Sequence, residues 1–278
     1  MSNENLPNIA FVGIGLMGLP MAARLVQAGY PLNAWNRTRE KALPLAGYGA
    51  KVADTLADAV RTADIVITML EAGPVVKRVV EAMLPDLRSG TLVIDMSSTK
   101  QSEACEVQRM LAPCQVAFLD APVSGGVVGA EAGTLAIMVG PTGSGQIAKL
   151  CNQLIVGGTV AIVAEAMLLA QAGGADPAAM RQAIRGGFAE SRILDLHGQR
   201  MLDRNFKPGG QIKSQAKDHA NIMAAAEDTG LKLPLTKRVA ELFNGLLENH
   251  AEADQAAALL ALEAINPTVR LGDGPDRF

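Results

Sequence analysis

The sequence predicts an α/β domain built on a parallel sheet, followed by an all-helical domain. Three observations predict it. Short apolar runs alternate with helix-period segments through the first half. A glycine turn follows the first of those runs. Beyond Gly145 the strand-like runs stop and long, Pro-poor helical segments take over. A chain of 278 residues leaves each half enough length to bury its own core. Domains are therefore expected at 1–145 and 146–278.

Ile9-Ala10-Phe11-Val12 is a short apolar run ending at glycine, as a buried parallel strand does. Leu16 to Gln27 carries apolar residues at helical spacing, and Gly29 supplies a C-cap. Pro31 to Trp35 reads as a second strand and Arg39 to Leu45 as a short helix. Asp64 to Leu70, rich in β-branched residues, and Leu92 to Asp95 are further strands, each preceded by a helix-like segment. Phe118 to Asp120 and Leu135 to Val139 complete the strand candidates. Gln146 to Ala172 has no Pro and is long enough for one continuous helix. Pro177 to Ile184, Ile193 to Asp203, Ile212 to Thr229 and Leu235 to Glu248 are helical as well. The tail, Pro267 to Phe278, holds Gly, Pro and charges and is expected to fray.

With 49% hydrophobic and 19% charged residues, the composition excludes a disordered chain. Twenty-five Lys+Arg against 28 Asp+Glu give a net charge of -3, which argues against nucleic acid or an anionic membrane as partner. Cys105, Cys114 and Cys151 are too few and scattered for a disulfide framework, so a cytoplasmic setting is expected. Met1 to Asn5 lack the basic stretch of an export signal. Leu150 to Ala164 is interrupted by Asn152, Gln153 and Gly157-Gly158, short of the roughly 20 apolar residues of a membrane span, so no membrane partner is expected. His197, His219 and His250 have no partner at metal-ligand spacing, and no metal is expected.

Gly13-Ile14-Gly15-Leu16-Met17-Gly18 is a G-x-G-x-x-G between a strand and a helix, the context in which it binds a dinucleotide in a Rossmann-type domain. Gly13 permits the tight turn, Gly15 lets pyrophosphate approach the backbone, and Gly18 lets helix and strand pack closely. The helix N-terminus turns amide donors toward the phosphates. An NAD-specific site usually ends its second strand with a carboxylate that holds the ribose. Here the end reads Asn36-Arg37-Thr38: the guanidinium can pair with a 2′-phosphate, and Asn and Thr can donate to it. This pattern favours NADP(H) over NAD(H). The plain alternative is a solvated Arg opening the next helix.

Four ordered blocks make the chain resemble the β-hydroxyacid dehydrogenase family: Phe11 to Ala22, Asp120-Ala121-Pro122-Val123-Ser124-Gly125-Gly126, Gly143-Ser144-Gly145 leading to Lys149 and Asn152, and Lys217-Asp218. The resemblance is strongest to members acting on 2-hydroxy-3-oxopropionate (tartronate semialdehyde) and 3-hydroxyisobutyrate. Ser124, Gly125 and Gly126 read alone are an ordinary polar turn; the resemblance makes them the anchor of a substrate carboxylate. Lys149 and Asn152 share a helix face. The resemblance makes Lys149 the catalytic acid/base and Asn152 its positioning neighbour, and a Lys in that role should have its pKa lowered by burial. Lys217, with Asp218 orienting it, is implied at the nicotinamide end, and Met69, Leu70 and Ser98 along the nicotinamide ribose. Phe188 and Ser191 are further candidates for the substrate pocket.

The resemblance implies an NADPH-dependent reductase of a small semialdehyde acid, assembled as a homodimer or homotetramer. Oxidation of 3-hydroxyisobutyrate, 4-hydroxybutyrate or threonate on the same site stays open, as does a non-catalytic NADPH sensor. One departure stands out. Family members carry another helix and strand before the Gly-Ser-Gly turn, whereas here Gly140 runs directly into Pro141-Thr142-Gly143, about two dozen residues short. Either the sheet is smaller or the sequence lacks a piece.

Overall fold

The run Ile9–Val12 forms β1, every residue of it buried, inside a six-stranded parallel sheet. The structure, a computed structural model, describes residues 6–278 and divides at Lys149/Leu150 into two compact units. The first unit continues with α1 (Gly18–Gln27), β2 (Leu32–Trp35), β3 (Lys51–Val52), α2 (Leu56–Val60), β4 (Ile65–Thr68), α3 (Gly73–Met83), β5 (Leu92–Asp95), α4 (Gln101–Leu111) and β6 (Ala117–Asp120). A two-stranded antiparallel ribbon of β7 (Val123–Ser124) and β8 (Ala136–Ile137) brackets α5 (Gly126–Ala132). The sheet order is β3-β2-β1-β4-β5-β6. The chain winds outward from β1 in both directions, which makes the carboxyl ends of the strands beside it the place where such sheets bind ligands. Both faces are covered, as a parallel sheet requires. Phe11, Ala34 and Ile67 pack on one side with Met21 and Ala22, and Ala10, Val12 and Val66 on the other with Val76, Val80 and Val107.

The helix α6 (Ser144–Ala172) is continuous, as its lack of Pro implies. The second unit adds α7 (Pro177–Ala183), α8 (Arg192–Leu202), α9 (Ile212–Asp228), α10 (Pro234–Gly245), α11 (Leu247–His250) and α12 (Ala258–Ile265). Its core joins Val160, Ala164 and Met167 of α6 to Leu194, Met201, Phe206, Phe243 and Leu259. The fold is thus a Rossmann-type parallel-sheet unit followed by a helical one.

Three expectations change. Arg39 to Leu45 forms 3-10 turns, Arg39–Lys41 and Leu43–Tyr48, because Pro44 breaks the α-helical pattern. The tail does not fray. Leu271 is fully buried, the Phe206 amide donates to the Arg277 carbonyl at 2.7 Å, and the Arg277 amide donates to the Arg204 carbonyl at 2.9 Å. Finally, α6 is by length and composition apolar enough to cross a membrane, with mean hydropathy 1.9 over its most apolar window and 44% of that window buried. The apolar core helix of a water-soluble protein passes the same test, and Val160, Val163, Ala164 and Met167 are packed in the second unit's core while Ile155, Ile162 and Leu169 face outward.

Candidate active site

The glycine turn has the geometry that a dinucleotide cradle needs. Gly13 has φ +104°, and a Cβ there would run into the Met69 carbonyl; at Gly18 one would run into the Gly13 carbonyl. Gly15 meets nothing within 4 Å, so the space before its backbone is open to a ligand. Gly13 and Ile14 are buried, whereas Gly15 and Leu16 are exposed and Met17 is half-buried. These features fit a pyrophosphate lying against the loop.

Adjacent strand ends bring the other predicted cofactor residues to the same sheet edge. Gly13 N–H donates to the Trp35 carbonyl, and Met69 N–H to the Val12 carbonyl, both at 2.9 Å. Leu70 N–H donates to Ser97 Oγ at 2.8 Å, which ties the end of β4 to the loop after β5 where Ser98 sits. Asn36 has a different task from the one its type suggested. Its Oδ1 accepts from Ile14 N–H at 3.0 Å and its Nδ2 donates to the Thr38 carbonyl at 2.8 Å, so it braces the glycine turn. Arg37 and Thr38 are exposed beside it. Arg39 is engaged by Asp54 at 2.8 Å, whereas among the described residues the Arg37 guanidinium has no hydrogen-bond or ion-pair partner.

Ser124 ends β7, half-buried, and Gly125 and Gly126 have φ +136° and +64° as the chain turns into α5. Residues with a Cβ rarely adopt such angles, so the pair is required by the turn. Asp120, fully buried at the end of β6, fastens the start of α6: its Oδ1 accepts from Gly143 N–H at 2.8 Å and its Oδ2 from Gln146 N–H at 2.9 Å. Gly145 is small because a Cβ would lie 2.6 Å from the Met138 carbonyl oxygen. Gln146 adds a second tie, donating to the Ser97 carbonyl and accepting from Thr99 N–H, both at 2.9 Å. Lys149, 8% exposed, follows Gln146 by one helical turn. Sequence reasoning missed these two anchors; a buried Asp at a strand end opposite a glycine-opened helix was the available signal.

In the second unit Asn152 Nδ2 donates to Gln153 Oε1 at 2.8 Å, and Gln153 Nε2 donates to Asp218 Oδ2 at 2.7 Å. Lys217 Nζ lies 3.4 Å from Asp218 Oδ1. The structure thus joins Asn152 to Lys217 and Asp218 through Gln153, a residue the sequence did not single out. His219 is buried, which lowers its pKa, and it stacks on Phe243 with centroids 5.4 Å apart. Phe188 projects fully exposed, and Ser191 Oγ caps α8 by accepting from Leu194 N–H at 3.0 Å. Among the described residues no three His, Cys, Asp or Glu side chains gather to hold a metal ion.

Two family profiles match the chain: "NAD binding domain of 6-phosphogluconate dehydrogenase" over residues 8–173, and "NAD-binding of NADP-dependent 3-hydroxyisobutyrate dehydrogenase" over residues 143–262. A 2-hydroxy-3-oxopropionate reductase of Escherichia coli K12 is 36% identical, with 92% of this chain and 97% of that protein aligned. The chain belongs to the β-hydroxyacid dehydrogenase family. Like the family, it is an NAD(P)-dependent oxidoreductase. A Mycobacterium tuberculosis 3-hydroxyisobutyrate dehydrogenase solved with L-serine superposes with TM-score 0.86 at 32% identity, covering 92% of this chain and 99% of that one. An NAD-dependent L-serine dehydrogenase of Pseudomonas aeruginosa is 31% identical, with 90% of this chain and 95% of that protein aligned. The family members differ in length from this chain. The E. coli alignment spans 283 positions but uses 92% of 278 residues, about 256, so about 27 positions of that relative have no counterpart here.

Proposed function

We propose that this β-hydroxyacid dehydrogenase reduces a small semialdehyde acid, 2-hydroxy-3-oxopropionate or a near relative, to the hydroxy acid with NADPH. The observation that carries the reading is the placement of one ammonium: Lys149 is nearly buried on a helix whose first turn is hydrogen-bonded to the strand ends of β5 and β6. The 36% identity to a 2-hydroxy-3-oxopropionate reductase supports the substrate class. The exposed Arg37 guanidinium past the end of β2, without a hydrogen-bond or ion-pair partner among the described residues, supports the 2′-phosphate.

The open face of Gly15 receives the pyrophosphate, and Met69, Leu70 and Ser98 border the nicotinamide ribose. The bound dinucleotide supplies a hydride to the aldehyde carbon. The Ser124 hydroxyl and the Gly125 and Gly126 amides hold the substrate carboxylate, so the aldehyde presents one face. Lys149 donates a proton to the carbonyl oxygen as negative charge develops there, and its positive charge lowers the barrier to that development. Asn152 hydrogen-bonds a substrate hydroxyl, and Lys217 contacts the nicotinamide end.

A panel of short semialdehydes and hydroxy acids, followed at 340 nm with NADPH and NADH, tests the substrate and cofactor assignments. Lys149→Ala is expected to lower kcat by roughly 10²–10⁴-fold while NADPH affinity stays within about twofold. A kcat within about tenfold of the parent's after this substitution, or a parent that turns over none of the panel, defeats the reading.

A further inference from the structure

The side chains between Asn152 and Lys217 form a chain of hydrogen bonds whose direction is dictated at one end. The Asp218 carboxylate, buried and 3.4 Å from the Lys217 ammonium, can only accept. The Gln153 side chain faces it at 2.7 Å, so the Gln153 amide must turn its nitrogen that way. Gln215 reinforces the orientation: its Oε1 accepts from the same Gln153 nitrogen at 3.1 Å, and its own nitrogen donates to the Gln153 backbone carbonyl at 3.0 Å. With both N–H groups of Gln153 committed, its Oε1 is left toward Asn152, which therefore presents Nδ2 to it at 2.8 Å. The outcome is that Asn152 keeps its Oδ1 and one N–H for a ligand. Helices α6 and α9 can cross closely enough for these bonds because position 157 is glycine. A Cβ there would collide with the His219 ring and lie 2.5 Å from Gln215 Nε2.

We propose that Gln153 and Asp218 are positioning residues that fix which end of the Asn152 amide faces the substrate and tie that choice to Lys217 at the cofactor. The charge pair Lys217–Asp218 sets the polarity, and the Gln153 amide transmits it across one helix crossing. A planar amide is suited to this task, since it accepts at one corner and donates twice at the other. Neither Glu nor Met offers that combination. The proposal rests on the roles given above to Asn152 and Lys217.

Two substitutions separate polarity from shape. Gln153→Met keeps length and removes every bond of the bridge; Asp218→Asn keeps shape but lets either amide end face Gln153. Each is expected to raise the KM for 2-hydroxy-3-oxopropionate about tenfold, the scale of one charge-assisted hydrogen bond, with kcat changed less than about threefold. Each is also expected to weaken NADPH binding, read by the quenching or enhancement of NADPH fluorescence. The double variant should be no worse than the poorer single variant, because both break one chain. Additive losses, or unchanged KM and NADPH affinity with only a lowered melting temperature, overturn the proposal. If the parent shows no turnover of semialdehydes, the substrate reading fails by itself. The NADPH arm then decides: coupled losses in Gln153→Met and Lys217→Met sustain the link to Lys217, and independent losses end it.

Discussion

Asp95 closes β5 with its carboxyl 1% exposed, and removal from water is the main reason its pKa is raised to about 6. The Ser97 and Thr68 groups oppose the shift, Thr68 Oγ1 donating at 2.8 Å and Ser97 N–H at 3.1 Å, while the nearby Asp120 adds to it. A carboxyl whose folded pKa stands above its ordinary value near 3.8 binds its proton more tightly in the native state. Its contribution to stability is complete below pH 4 and is lost as the pH rises through about 6. Two pH units correspond to about 3 kcal/mol. Asn keeps the acceptor for Thr68 and Ser97 and cannot ionise. Stability of Asp95→Asn relative to the parent is therefore expected to improve by about 2 kcal/mol between pH 4.5 and 7.5. Urea unfolding at the two pH values reads the difference; a gap that stays constant with pH refutes the buried ionisation.

At the scale of the element, α6 is held at its first turn by a buried charge as well as by packing. Asp120 accepts from two backbone amides at 2.8 and 2.9 Å, and a negative charge at a helix N-terminus is favoured by the helix dipole. Asp120→Asn turns an N–H toward one of those amides. The expected result is a loss of roughly 1–3 kcal/mol in unfolding free energy. A fall in kcat should accompany it as Lys149 loses its fixed direction, with NADPH affinity unchanged; unfolding curves, kinetics and NADPH titration check the three parts. The continuity of α6 was legible because nothing in it breaks a helix, and β1, β4 and β5 were legible because buried parallel strands read as mostly apolar runs. The two-residue strands Lys51–Val52 and Val123–Ser124 were not, since they are too short to show a period. Nor was α5, whose glycines read as a turn. The helix Ala258–Ile265 follows from its Ala, Leu and Glu, which are strong helix formers. The glycine turn could be found from spacing alone because Gly13 and Gly18 answer a local steric need and Gly15 leaves its backbone open. The Asn152–Gln153–Asp218 chain could not, because Gln153 and Asp218 are 65 residues apart and only the helix crossing brings them together.

At the scale of the molecule the same reasoning explains the C-terminal tail, where local sequence misleads. Gly272, Gly274, Pro275 and several charges read as a loose end, yet Asp276 is met by Arg204 and the Arg277 guanidinium donates to the Asp203 carbonyl at 2.9 Å. Arg204 is 1% exposed and donates to both Glu263 carboxylate oxygens at 2.8 and 2.9 Å, to the Leu271 carbonyl at 2.8 Å and to Asp276. The Phe278 ring lies 5.7 Å from that of Phe206 and stacks on His250 at 5.3 Å. Removing residues 268–278 would strip two of the partners of a buried guanidinium and empty the place of a fully buried Leu. Emptying such a site costs about 2–5 kcal/mol, and the lost partners add to it. A loss of that size corresponds to an unfolding midpoint on the order of 10 °C lower for a chain of this length. Leu271→Ala alone should give part of the shift, because it creates the cavity but leaves Arg204 its partners. Scanning calorimetry of the parent, the single variant and the truncated chain orders the three; a truncated chain that melts with the parent would mean that the tail contributes nothing to the second unit.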